Sequence, residues 1–418
     1  MKILDLSLYV VELPFRFAFN HNLAKRSRSH NLIVKATIET EAGVSIGYGE
    51  GIPREYVTGE TIDQAVEYLK EEYFPHFKGK EFSNASELLS YILNRFQFFG
   101  LEERPNGASW CALELALLDA IGRAENISLG QLLYPDNNNH LANSIKYGAT
   151  ASLTNKNYLS ALLVFFKIYG FSTVKLKLGK NIDDAIERIK LARKIMGKTI
   201  TLRVDANCAW SISDTIAFSQ RSEVYNVASI EQPVAADNIQ GIAHLASSIP
   251  QAIVLDESLC TIRQAEFFAN NGIKIDFNIR ISKMGGVMAA STIKNLAKQA
   301  GISCHLGAQV GESSILTAAG RIFALNNGPF INHEGSANSF LLKYDLTKEN
   351  FTFGYGGYGK LPNGLLQAGL GITVDQKNFH RLIEKKSTVI KMSPHLAATS
   401  SRQDKNSHLQ EMEVGGKR

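Results

Sequence analysis

Cysteine, tryptophan and proline are scarce in this chain, at 4, 2 and 10 of 418 residues. Cys111, Cys208, Cys260 and Cys304 are widely spaced and form no CxxC pair. That excludes a disulfide framework and a zinc ribbon and leaves reduced, packed thiols. Long apolar runs are missing as well, since none reaches the roughly 18 residues that a membrane span needs. Asp5 and Glu12 break the apolar alternation of the N-terminus, so no signal-peptide core is expected there. These absences point to a cytoplasmic protein without a membrane partner. Neither sign of charge dominates. The formal net charge is +5 and the charges are mixed along most of the chain, which argues against nucleic acid and hints at anionic substrates.

What is present is an ordinary globular composition, 44% hydrophobic and 20% charged. Ile3–Val11 and Asn31–Thr40 alternate apolar and polar residues, the pattern of half-buried antiparallel strands. The turn Glu41-Ala42-Gly43 leads to a third strand, Val44–Gly49, while Phe15–His30 and Gly49–Thr61 read as loops. Helical periodicity follows over Ile62–Leu69, Ala85–Arg95 and Ala108–Glu125. Residues 1–140 are therefore expected to form an α+β domain. After Asn139 short apolar strands alternate with helices. The strand candidates are Ile145–Thr150, Thr173–Leu178, Thr201–Ala206, Val227–Ile230, Ile253–Leu255, Asp276–Ser282, Ile302–Leu306 and Phe330–His333. Helices fill gaps at Ile182–Met196, Ile212–Ser222 and Ala289–Ala300. Eight such units predict a (β/α)₈ TIM-like barrel over 141–345. A doubly wound sheet is less favoured, because no GxGxxG follows the first strand. Residues 346–385, rich in Gly and Tyr, should pack back on the first domain, and 386–418 read as a disordered tail.

Barrel active sites lie at the C-terminal ends of the strands, so the residues there matter most. The second candidate strand carries Lys175 and Lys177, two apart and hence on one face. The third ends in Val204-Asp205-Ala206-Asn207, the fourth in Ile230-Glu231-Gln232-Pro233 and the fifth in Leu255-Asp256-Glu257-Ser258. The sixth ends in Ser282-Lys283-Met284-Gly285-Gly286. One strand-end acid could simply cap the next helix. Three in consecutive units would repel one another without a cation, and hard oxygen ligands in that number suit Mg²⁺. Flanking lysines then make chemical sense for removing a proton α to a carboxylate. The resulting enediolate needs a divalent ion on its oxygens. The base must be neutral near pH 7, and Lys175 supplies the positive charge that favours this in Lys177.

The set resembles the enolase superfamily, and within it the muconate lactonizing enzyme subgroup of the mandelate racemase/muconate lactonizing enzyme family. The matching motifs are the KxK of Lys175 and Lys177, the DxN of Asp205 and Asn207, Glu231 in EQP, Asp256 in DES and Lys283 in KxGG, and the resemblance extends over residues 1–385. It implies a barrel whose N-terminal α+β domain caps the mouth and is completed by the C-terminal segment. Carried over by position, Asp205, Glu231 and Asp256 would be metal ligands, and Lys177 and Lys283 acid/base catalysts on two faces of the substrate. Lys175 would tune Lys177, with Asn207 and Glu257 supporting or alternative ligands. The mandelate racemase subgroup fits less well, because it places an Asp where this chain has Lys283. His305 reads as a packed histidine.

In such enzymes specificity falls to the capping loops, here Phe15–Arg28 and Gly51–Glu60. Lys25, Arg26 and Arg28 could pair with a second anionic group or form a solvated basic loop; Arg54 and Tyr56 are placed similarly. Glu312 matches an acid that assists near the metal, or else starts the next helix. The eighth strand ends in His333-Glu334-Gly335-Ser336, without the DxD that dipeptide epimerases of the subgroup use to hold an ammonium. Glu334 offers a single carboxylate instead. The expected function is a Mg²⁺-dependent isomerase, with Mn²⁺ as a substitute, acting on a small carboxylate substrate. Racemisation or epimerisation of an amino-acid or dipeptide-like acid leads. Muconate-type cycloisomerisation and syn-dehydration of a succinylbenzoate-type precursor use the same residues, and a non-catalytic binding protein of this fold ranks last. A homo-oligomer is compatible with the family, although no stretch marks an interface.

Overall fold

The alternating apolar residues near the N-terminus build a longer hairpin than expected. In the computed structural model β1 (Lys2–His21) and β2 (Ala24–Thr40) run antiparallel, with β3 (Gly43–Gly51) beside β2. The segment Phe15–His30, expected as a loop, belongs mostly to these two strands. The ladder slips between Pro14 and Phe19, where proline has no N–H to donate, and resumes at Phe19↔Arg26. The structure describes residues 1–21, 24–136, 144–362, 364 and 367–383, with the side chains of residues 20, 21, 24 and 25 left outside. The expected tail from 386, and the boundary near 140, lie outside the described residues.

The sheet packs on the helix Gly107–Ala124, which is buried from Gly107 to Gly122. Gly47, Gly49 and Gly51, alternate residues of β3, let the helix backbone come close: an added Cβ at each would overlap the carbonyl oxygen of Ala116, Ala112 or Ala108.

The second half closes into a barrel. The first strand candidate splits in two. β4 (Ser144–Lys146) turns away to pair with a late segment, and the first barrel strand is β5 (Ala149–Ala151). It is followed by β6 (Thr173–Lys177), β7 (Thr201–Asp205), β8 (Val227–Glu231), β9 (Ala252–Leu255), β10 (Ile275–Ile279), β11 (Cys304–Leu306) and β12 (Asn332–His333). These eight strands pair in sequence order, and a bridge between Tyr147 and His333 joins the two ends. Helices follow the strands with the expected bounds at Ile182–Met196 and Ile212–Ser222, capped by Asn181 and Ser211. β13 (Tyr358–Lys360) is the partner of β4. The chain then returns to the first domain. Leu370 N–H donates to Asp119, Arg123 to the Ile372 carbonyl, and Phe379 meets the Tyr9 and Tyr48 rings edge-on. Among the described residues no helix is long and apolar enough to cross a membrane.

Candidate active site

Parallel pairing sets the site. The register Lys177↔Asp205↔Glu231 puts three charged residues in one row at the ends of β6, β7 and β8, with Lys175↔Arg203↔Ser229 in the row beneath. Val174, Leu176, Leu202, Val204 and Ile230 take the alternate positions and are buried. One face of these strands is thus charged and fully buried, an arrangement that holds only if every charge is met. Lys175 Nζ lies 2.9 Å from Glu231 Oε2 and 2.6 Å from Glu334 Oε2. Lys177 Nζ lies 2.6 Å from Asp205 Oδ2 and 2.8 Å from Asn207 Oδ1. Asn207 and Cys208 have φ of 46° and 60°, a left-handed turn that carries the Asn207 amide back over the strand end.

The charges reset one another. Burial alone would push the Lys175 ammonium down, but Glu231, Glu334 and Asp205 outweigh it and hold it above its ordinary value. Burial likewise works against the Glu231 carboxylate, yet Lys175, Arg203 and Arg280 keep it well below the usual range. Burial pushes the Asp205 carboxyl up despite Lys177. Glu257 rises to about 8 through burial and the neighbouring Asp256 and Asp205.

Lys283 is not where the sixth-strand expectation puts it. The ladder of β10 stops at Ile279, and Lys283 falls on a helical turn, Ile281–Met284. Its Nζ is fully buried and makes three hydrogen bonds, to Asp256 Oδ1 at 2.8 Å, the Asp256 carbonyl at 2.8 Å and the Asn278 carbonyl at 2.9 Å. An ammonium has three donors, so all are taken. Lys283 fixes Asp256 from behind, outside the cavity lining. Arg280 lines the cavity in its stead, donating to Asp256, to Glu231 Oε1 at 3.5 Å and to Gln309 Oε1 at 3.2 Å.

The donor chemistry suits a hard divalent cation. Asp205 and Glu231 end β7 and β8, Asp256 directly follows β9, and Glu257 Oε2 is buried without a partner, its carboxyl pushed up by burial and by adjacent negative charge. Among the described residues no three acidic, histidine or cysteine side chains already form a metal-binding group. The reason is visible in the network: Lys177 holds Asp205, Lys175 holds Glu231, and Arg280 reaches both Glu231 and Asp256.

A cavity of about 360 Å³ opens above these residues. Lys175, Lys177, Asn207, Glu257, Arg280 and Glu334 form its polar side, and Phe17, Phe19, Tyr56, Phe165, Phe340 and Phe353 are among the rings of its apolar side. Of the residues expected to bind substrate, Tyr56 lies on the wall, with the Arg26 guanidinium 5.3 Å over its ring. The Lys25 side chain lies outside the described residues. Arg28 pairs with Glu12 at 2.7 Å. Arg54 is not at the cavity. It is buried between the two halves of the molecule, donating to Ser29 Oγ at 2.6 Å and to the Val310 carbonyl at 2.8 Å. Glu334 reaches the cavity, but Lys175 and Arg203 (2.7 Å) already engage both its oxygens. Glu312 lines the cavity, accepts from Gln309 N–H at 2.6 Å and is pushed up to about 8 by burial. His305 is packed between Asp276 and Asn332.

Arg203, Asn278 and Arg280 are the residues that sequence reasoning missed. Asn278 Nδ2 donates to Glu231 Oε1 at 2.9 Å, and Arg280, two residues on, reaches the same carboxylate. That i, i+2 spacing of polar residues on an apolar strand is the signal that finds both.

Residues 6–133 match the model of the mandelate racemase/muconate lactonizing enzyme N-terminal domain, and residues 162–378 match the enolase C-terminal domain-like model. The chain belongs to the mandelate racemase/muconate lactonizing enzyme family. Its relatives include the N-succinyl-L-Arg/Lys racemase of Bacillus cereus, 29% identical over 77% of this chain and 83% of the relative. An L-Ala-D/L-Glu epimerase of Francisella tularensis subsp. novicida is 31% identical over 78% of this chain and 88% of the relative. The solved dipeptide epimerase of Enterococcus faecalis, complexed with Mg and L-Leu-L-Tyr, superposes with a TM-score of 0.78 at 26% identity, covering 89% of this chain and all of that one (100%).

Proposed function

We propose that this protein is a Mg²⁺-dependent isomerase that removes the α-proton of a small carboxylate substrate, and that it racemises or epimerises an amino-acid or dipeptide-like acid. The observation that carries this reading is Lys177, a lysine on the cavity wall held between Asp205 and Asn207 at a strand end. The family's racemases and epimerases support the reaction class. Asp205, Glu231 and Asp256 would hold the ion, with Glu257 and Glu312 beside them. A divalent ion there would stabilise the negative charge that develops on the substrate carboxylate; Mn²⁺ is expected to serve as well.

This chain's residues do the rest. Lys177 takes the proton from the carbon and carries it as an ammonium held by Asp205 and Asn207. Lys175 and Arg203 neutralise Glu231 and Glu334, so the negative charge on the cavity's polar side is limited when an anionic substrate arrives. The apolar wall excludes water from the carbanion. Cycloisomerisation or syn-elimination is the second reading, and Arg280 favours it: both need one base, and the wall facing Lys177 carries a guanidinium.

The test is ¹H NMR in D₂O with Mg²⁺, over N-acylamino acids, dipeptides and unsaturated diacids. Loss of an α-proton signal on at least one acid is expected. No exchange on any of them, with correctly folded protein, overturns the reading.

A further inference from the structure

Arg280 follows β10, and Lys177 ends β6. In an eight-stranded barrel paired in sequence order these strands are four apart, so the two residues meet the cavity from opposite sides. On the Lys177 side there is an amine with two oxygen partners. On the other side there is a guanidinium, which has only donors and no lone pair to receive a proton. Lys175 lines the cavity too, but its ammonium is held by Glu231 and Glu334. Lys283 has its three donors bound to Asp256 and Asn278 and lies outside the cavity lining.

Two further atoms bear on what Arg280 does. Its Nε and the Nε2 of Gln309 are buried without partners, although both residues are nine-tenths buried or more and both line the cavity. The two side chains are joined by the Arg280 Nη1–Gln309 Oε1 bond of 3.2 Å. Partnerless donors at a cavity wall call for an acceptor.

We propose that Arg280, with Gln309, binds an anionic oxygen of the substrate, and that among the described residues Lys177 alone serves the site as acid and base. The proposal rests on the α-proton reading above. The proton leaves carbon for Lys177 Nζ, and the bonding electrons pass to the substrate carboxylate, whose charge Arg280 helps to meet. The same ammonium then returns the proton, whichever epimer forms. Epimerisation therefore requires the planar acid to present either face to Lys177, whereas elimination requires no such turn.

The experiment compares both epimers of N-succinylphenylalanine, N-succinyllysine and L-Leu-Tyr for α-proton exchange in D₂O with Mg²⁺, using wild type, Lys177→Met, Arg280→Lys, Arg280→Gln and Lys283→Met. Lys177→Met is expected to stop exchange from both epimers, a fall of about 10²-fold or more. Arg280→Gln should raise KM for both epimers alike, and Arg280→Lys should recover part of the loss. Calorimetric titration with malonate, with and without Mg²⁺, supplies a second readout independent of turnover. Arg280→Gln should weaken malonate about tenfold or more. If one epimer still exchanges in Lys177→Met and stops in an Arg280 or Lys283 variant, a second base exists and the proposal is overturned. Unchanged malonate affinity in folded Arg280→Gln also overturns it. Exchange from neither epimer in the wild type overturns the α-proton reading, and the proposal with it.

Discussion

Glu334 shows how one side chain can be misread when its neighbours are unknown. Alone at a strand end, it looks available for a substrate ammonium. In place, its Oε2 is 2.6 Å from Lys175 and its Oε1 is 2.7 Å from Arg203; both cations are buried, and the Glu334 side chain is only 9% exposed. Burial would raise its carboxyl, but Lys175 and Arg203 bring it below the ordinary value, so it is an anion already matched. Glu334→Gln would leave Lys175 and Arg203 sharing Glu231. Removing one partner of a buried pair costs about 3–5 kcal/mol. A drop of that order is expected in urea denaturation, together with weaker substrate binding through Lys175. An unchanged midpoint would show that Glu334 is not part of the charge balance. The same logic applies to Lys177, whose ammonium lies 2.6 Å from the buried Asp205 carboxylate. Lys177→Met removes that partner, so a loss of stability of about 3–5 kcal/mol is expected beside the loss of turnover, and urea unfolding would show it.

At the level of elements, the barrel is legible in the sequence because each strand is a short apolar run and each helix has a readable start. Ile182–Met196 and Ile212–Ser222 begin after Asn181 and Ser211, whose side chains cap them. Hydrogen-bond pairing is not legible in the same way. Ile145–Thr150 is one apolar run, yet its first half pairs with β13 and its second half lies on the barrel, a difference set by a partner more than 200 residues away. Likewise the run Asp276–Ser282 does not reveal that the ladder ends at Ile279, and that ending exchanges Lys283 for Arg280 at the cavity. Asp205, Glu231 and Asp256 were readable because each ends or directly follows an apolar strand within a repeating unit. Close packing was hidden too. The alternate glycines of β3 show their purpose only against the helix Gly107–Ala124. Gly49→Ala would drive a methyl into the Ala112 carbonyl, so a loss of about 1–3 kcal/mol or more is expected by urea unfolding. Gly43→Ala makes a poor control, because φ there is 126°; Gly320, with open space and an ordinary φ, is the better one.

Across the whole molecule, two buried acids of the first domain join it to the barrel. Glu50, on β3, accepts from Ser313 N–H at 2.9 Å, Ser313 Oγ at 2.6 Å and Leu316 N–H at 3.0 Å, at the start of the helix Ser314–Asn327. Glu114, on the helix Gly107–Ala124, accepts from Met288 N–H at 3.0 Å, at the start of the helix Val287–Gln299. Burial raises Glu50 to about 7 and Glu114 to about 8, against the backbone and side-chain donors that favour the anion. A carboxyl whose pKa is higher in the folded state binds its proton more tightly there than in the unfolded chain. Its contribution is complete below the unfolded value near 4.5 and is lost as pH rises through 7 and 8. Stability should therefore decline between about pH 5 and pH 9, by at most about 3 kcal/mol for Glu50 and about 5 kcal/mol for Glu114. Urea unfolding of the wild type and of Glu114→Gln at pH 5, 7 and 9 checks this. The amide cannot ionise, so the variant should be less stable at pH 5, where it loses a fitted donor–acceptor pair, and should lose less on the way to pH 9. If wild type and variant fall with the same slope, Glu114 does not couple the junction to pH. Because the cavity lies between the halves that these acids hold together, the same decline is expected to loosen the Tyr56 wall before the barrel itself unfolds.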